Sequence, residues 1–109
     1  MASDRAKRQL AAWKRQGRTE TVIYRPESGR PRRIDAVVFR TGRVEENGGW
    51  VQTMRVKVLL DEQLGIAARQ LDSGADQLDV ADRVGGEAVT RRVGRIAGQD
   101  VDWITIEVG

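Results

Sequence analysis

Apolar positions near the start of the chain fall at helical spacing. Ala6, Leu10 and Trp13 stand at i, i+4 and i+7, and Ala2 precedes them by one turn. Arg5, Lys7, Arg8, Lys14 and Arg15 take the remaining faces. Ser3 or Asp4 is a suitable N-cap and Gly17 a suitable stop, so a helix is predicted to about Gln16. So short a helix is marginal alone, which requires Leu10 and Trp13 to dock on a neighbouring surface. Its outer face is either a plain covering face or a basic surface that meets DNA or an acidic partner.

After Gly17 the period changes from helical to alternating. Thr19 to Arg25 is β-branched and aromatic, and Pro26, Gly29 and Pro31 mark a turn that also holds Arg25, Arg30, Arg32 and Arg33. Arg33 to Arg40 reads as a strand with Ile34, Ala36 and Val38 on one face and Val37 and Phe39 on the other. Thr41 to Trp50, with Gly42, Asn47, Gly48 and Gly49, reads as a long hairpin loop tipped by Asn-Gly. Val51 to Leu60 alternates Met54, Val56, Val58 and Leu60 inward against Arg55 and Lys57 outward. Asp61 to Gln70 suggests a short helix that Gly65 weakens. Gln77 to Asp82 is a strand presenting Leu78 and Val80, Gly85-Gly86 turns, and Glu87 to Ile96 returns. Gly98-Gln99-Asp100 turns once more, and Val101 to Val108 closes the chain. The expected fold is mainly β in a single domain (1–109). A helix (1–17) precedes a small antiparallel β-barrel or sandwich of about six strands (18–109), which limits exposed edges.

Composition narrows the chemistry. With 109 residues the chain is one domain at most. No cysteine and no histidine means no disulfide, no thiolate zinc site and no imidazole base or ligand. No run of about eighteen apolar residues is present, so no membrane partner is expected. The first seventeen residues carry five cations and no apolar block, unlike a secretory signal. Asp72, Asp76, Asp79 and Asp82 form the one dense carboxylate cluster, but the spacing is not that of a calcium loop and it reads as solvated turn and edge carboxylates. No phosphate loop, dinucleotide fingerprint or serine-hydrolase elbow occurs. The expectation is no enzyme, no cofactor and no metal.

Charge is unevenly distributed. Met1 to Lys57 holds fourteen Lys/Arg against six Asp/Glu, a balance of +8, and Val58 to Gly109 holds five Arg against ten Asp/Glu, a balance of −5. If the fold keeps the halves apart, the subunit is dipolar and suits head-to-tail association into a ring; if the halves interleave, the dipole cancels. The arginines with Tyr24, Phe39 and Trp50 nearby leave a second function open, a small barrel that binds nucleic acid without sequence specificity. No helix-turn-helix, zinc-finger or RNP signature accompanies them.

The last third carries an ordered pattern. Gly74-Ala75-Asp76-Gln77-Leu78-Asp79-Val80 is followed by Gly85-Gly86, then Val93 and Ile96, then Asp100, Trp103, Ile104 and Ile106. This pattern resembles the small head-tail joining proteins of tailed bacteriophages, also called head completion, connector or stopper proteins. It departs from them at Ala75, which separates glycine from aspartate, and at Thr90 to Arg92, where an aromatic is expected. The resemblance implies a structural virion protein at the neck between head and tail, assembled in the host cytoplasm. Copies would form a homo-oligomeric ring between the portal or adaptor and the tail proteins and help retain packaged DNA. A tail terminator or minor tail protein is the alternative within that class. The candidate interface or DNA-channel residues are Arg30, Arg32, Arg33, Arg43, Asn47, Gly48, Gly49 and Trp50, with Leu10 and Trp13 docking the helix.

Overall fold

The computed structural model describes residues 2–46 and 48–109, and for 41–46 and 49–53 the backbone alone. One helix, α1 (Asp4–Arg15), is followed by six strands: β1 (Glu20–Arg25), β2 (Arg32–Glu46), β3 (Gly49–Leu59), β4 (Gln77–Ala81), β5 (Ala88–Gln99) and β6 (Trp103–Val108). They close into an antiparallel barrel in the order β1-β2-β3-β6-β5-β4. Closure gives every strand a neighbour on each side within the wall.

The barrel interior follows the period-2 pattern. Val22 and Tyr24, Ile34 and Ala36, Met54, Val56 and Val58, Leu78 and Val80, and Ile104, Ile106 and Val108 all point inward and are buried. Irregularities set the curvature. Between Phe39↔Arg55 and Gly42↔Thr53, β2 advances three residues while β3 advances two, a bulge that bends the pair. On β5 the register shifts on both sides of Ile96, which is exposed although it lies opposite buried Ile106. Gly94 sits in the first of these shifts, where a Cβ would lie 3.1 Å from the Glu107 carbonyl oxygen.

A second cluster lies outside the barrel wall. Ala2, just ahead of α1, and Ala6 and Leu10 within it pack on Leu59 and Trp103, and Trp13 lies against Trp103 with ring centroids 5.1 Å apart. Ser3 is the N-cap, its hydroxyl accepting from Ala6 N, and its own N–H donates to Asp102 Oδ1 at 2.8 Å. Lys7 reaches Asp61 and Lys14 reaches Asp35, about two turns apart, so α1 is held along one flank. Trp103 is 7% exposed at the centre of this cluster. Trp103→Ala should cost about 3 kcal/mol, the low end for a buried tryptophan because its cluster lies at the surface. Urea denaturation measures it, and a loss under about 1 kcal/mol would show that α1 is seated some other way.

Four sequence expectations need correction. Thr41 to Trp50 is not a loop: the ladder continues to Glu46↔Gly49, Gly48 has a positive φ of 79°, and Asn47 lies outside the described residues. Asp61 to Gln70 forms turns, not a helix, because the Asp61 carboxylate accepts the N–H groups of Gln63 and Leu64 and Ile66 N donates back to Leu59 O. The last turn spans 100–102 rather than Gly98 to Asp100, with β5 running on to Gln99, and Val101 is 84% exposed at its tip. Asp76 and Asp79 are buried, not solvated, each satisfied by a separate set of donors.

Candidate assembly surface

The strand order decides how the charge split lies in space. β1, β2 and most of β3, from the basic half, are contiguous; β6, β5 and β4, from the acidic half, are contiguous as well. The halves form opposite walls rather than interleaving, and ion pairs cross both seams between them. At the β1–β4 seam the Arg25 Nε lies 3.0 and 2.9 Å from the two Asp79 oxygens, with Thr90 Oγ1 donating at 2.7 Å. The Arg25 guanidinium, then the Thr90 hydroxyl against the cost of burial, hold the Asp79 carboxyl below the usual carboxylate range. At the β3–β6 seam Arg55 reaches Glu107, which Arg95 also grips at 3.0 Å. Arg40 of β2 clasps Glu20 of β1 with two bonds of 2.6 and 2.5 Å and donates to the Ala81 carbonyl at the end of β4. Part of the charge asymmetry is therefore consumed in closing the barrel.

A buried node anchors the long 60–76 connection to β1. Asp76 Oδ2 lies 2.5 Å from the Tyr24 hydroxyl and accepts from Asp72 N at 2.9 Å, while Oδ1 accepts from Glu27 N at 2.9 Å. Burial first, then the bond to Asp76, push the Tyr24 phenol well above its ordinary pKa, so it stays a proton donor. The Tyr24 ring also lies under the Arg32 guanidinium at 5.4 Å.

The predicted site residues separate into groups. Arg32 donates to Glu62 O at 2.5 Å, to Gln63 O at 3.3 Å and to Gln70 Oε1 at 3.0 Å, so it fastens the 61–70 turns to β2. Arg30 and Arg33 are exposed, and Arg33 borders a shallow depression with Lys14 and Thr21. The backbone of Arg43, Gly49 and Trp50 lies in the outer β2–β3 ladder; the side chains of Arg43 and Trp50, and all of Asn47, lie outside the described residues. Leu10 and Trp13 face the barrel, as described above.

That outer ladder stands apart from the barrel. β2 meets β1 only from Arg32 to Ala36, and β3 meets β6 only from Met54 onward. Among the described residues the rungs from Gly42↔Thr53 to Glu46↔Gly49 therefore pair with each other and with no third strand. The bulge after Phe39 sits at the root of this two-stranded arm, where it raises the local twist.

Beside the arm's root is a groove that the sequence reading did not single out. Trp13, Arg18, Val37, Phe39 and Lys57 line a cavity of about 230 Å³ between α1 and the outer wall. Phe39 is 44% exposed there. Lys57 Nζ stands 5.6 Å from the Trp13 ring centroid and 5.3 Å from that of Trp103. The signal was present in the alternation of β2, which puts Val37 and Phe39 on the face opposite the core; what sequence could not give is the position of α1 across that face. Apolar walls with two cations at the rim suit an aliphatic side chain flanked by carboxylates.

Among the described residues no three His, Cys, Asp or Glu side chains converge as a metal site, and no helix is long and apolar enough to cross a membrane. No protein-family model matches the chain, and no curated protein matches it.

Proposed function

We propose that this chain is a structural subunit of a tailed-phage neck, a head-tail joining protein whose copies form a ring between portal and tail and help retain packaged DNA. The observation that carries the reading is the self-paired arm of residues 42–53 on an otherwise closed barrel. A closed barrel wall has no need of a partner for its own stability, whereas a two-stranded ribbon that pairs with no third strand among the described residues is marginal in water. Such a ribbon gains its support on a neighbouring surface.

The ring contact is heterologous, as head-to-tail closure requires. One copy offers the groove of Trp13, Val37 and Phe39 with Arg18 and Lys57 at its rim. The next copy offers the β4–β5 turn on the opposite wall, where exposed Val84 stands between Glu87 and Asp82, the latter shared with Arg91. Apolar centre and complementary charged rim together make a specific contact. A free-standing nucleic-acid-binding barrel finds less support: of the aromatic residues that would serve it as stacking platforms, Tyr24 is buried, and Phe39 lies in the apolar groove.

The test is co-sedimentation with portal-bearing heads of the parent virus. The intact chain should pellet with them. A chain in which residues 43–52 are replaced by Asn-Gly should keep its thermal midpoint within a few degrees and stay in the supernatant, and Phe39→Ser should weaken pelleting at least about tenfold, the equivalent of about 1.4 kcal/mol. Undiminished pelleting of the shortened chain would remove the arm from the interface and overturn the proposal.

A further inference from the structure

The outer face of α1 separates its cations by type. Lys7 and Lys14 turn down onto barrel carboxylates, at 3.6 Å from Asp61 and 3.2 Å from Asp35. Arg5, Arg8 and Arg15 are exposed, and among the described residues none of them has a carboxylate partner. At 100° per residue Arg8 and Arg15 fall on the side of the helix opposite Ala6, Leu10 and Trp13, and Arg5 lies on the flank away from Lys7 and Lys14. Ten residues separate the first from the last, so they form a row about 15 Å long.

We propose that this row is a contact surface for the phosphate backbone of double-stranded DNA. Three features of the row favour a polyanion over a protein. Three cations stand there against the single carboxylate of Asp4, and arginine presents the fork that matches phosphate oxygens. Its neighbours on the same side are Asp4, Ala11 and Ala12, which offer no large apolar group to form the desolvated centre that a protein interface needs. Its length passes about four phosphates of one strand, which repeat every 3.4 Å along the duplex axis.

The support beneath the row is stiff. Leu10 and Trp13 are packed on Leu59 and Trp103, Ser3 N is bonded to Asp102, and both flanking lysines are paired, so the arginines ride on a fixed element. Phosphate contacts of this kind position a duplex without reading its bases. The surface differs from the arginines picked out in the sequence: Arg32 is committed to the 61–70 turns, Arg30 belongs to the β1–β2 turn and Arg33 to β2. The inference goes beyond the neck reading and holds whether or not the chain joins a ring.

Fluorescence anisotropy with the full chain and a short labelled duplex of mixed sequence, titrated between about 50 and 200 mM salt, tests it. Intact protein should bind with an affinity that falls linearly with log salt. The R5A/R8A/R15A variant should keep its circular dichroism and thermal midpoint and lose about 2.7 from that slope, 0.9 for each phosphate released. A control with Arg69, Arg83 and Arg92 replaced by alanine removes the same charge from the acidic half and should keep the slope. An unchanged slope in the helix variant, an equal loss in the control, or no salt-dependent binding by the intact chain would overturn the proposal. So would a helix variant that loses self-association while its DNA binding is unaltered, which would make the row a protein contact. Pelleting with portal-bearing heads reads the neck proposal separately.

Discussion

Gly65→Ala should abolish cooperative folding or lower the thermal midpoint by at least about 20 °C, the equivalent of a loss near 5 kcal/mol in a domain of this size. A Cβ at position 65 would stand 1.8 Å from the Leu59 carbonyl oxygen and 2.7 Å from its carbon. Both are backbone atoms of β3, whose last rung pairs Leu59 with Trp103, so neither can swing aside as a side-chain tip would. The same carbonyl accepts Ile66 N at 3.0 Å, and Ile66 fills the core beside Leu60. Relieving the clash means releasing that bond and withdrawing Ile66 from the barrel. Gly98→Ala is the control, since a Cβ there meets nothing within 4 Å; it should shift the midpoint by no more than a few degrees. A Gly65→Ala midpoint close to that of the intact chain would show that the 61–70 turns do not press on β3 as described.

Asp76→Ala should cost about 4 kcal/mol, and Tyr24→Phe about 1–2 kcal/mol, by urea denaturation. Asp76 is 1% exposed and satisfies a phenol and two backbone N–H groups, so its loss leaves two backbone donors without a partner and the phenol with the Gln70 carbonyl alone. Removing the phenol alone leaves the carboxylate with both of its backbone donors. Because the two side chains share one bond, the double variant should be less destabilised than the two single losses added together. Equal costs for the two single variants would mean that the backbone bonds at Glu27 and Asp72 contribute little.

Much of the wall was legible because period-2 alternation and turn residues are local signals. Met54, Val56, Val58 and Leu60, and likewise Leu78 and Val80, were placed inward from spacing alone and are buried. What escaped were features that depend on residues distant in sequence. The glycines between Thr41 and Trp50 suggested a loop, yet a ladder tolerates them when one extra residue is absorbed by a bulge at Phe39. Asp76 and Asp79 looked like surface carboxylates because their donors, Tyr24 and Arg25, lie about fifty positions earlier. The spatial meaning of the charge split was open in the sequence, since it depended on β3 pairing with β6 and β1 with β4. The groove at Phe39 required knowing where α1 crosses the barrel. The arginine row on α1 was visible as residues off the apolar stripe, but the pairing of only the lysines beside it was not.

The central claim is that this barrel works by being built into a larger assembly through its arm and its Phe39 groove. Electron cryo-microscopy of portal-bearing heads saturated with the purified chain measures this most directly. The expected image is a closed ring of barrels seated on the portal, with the 42–53 ribbon of each copy lying against a neighbour and Val84 of one copy beside Phe39 of the next. A bare portal at saturating protein, or copies attached singly with the ribbon facing solvent, would contradict it.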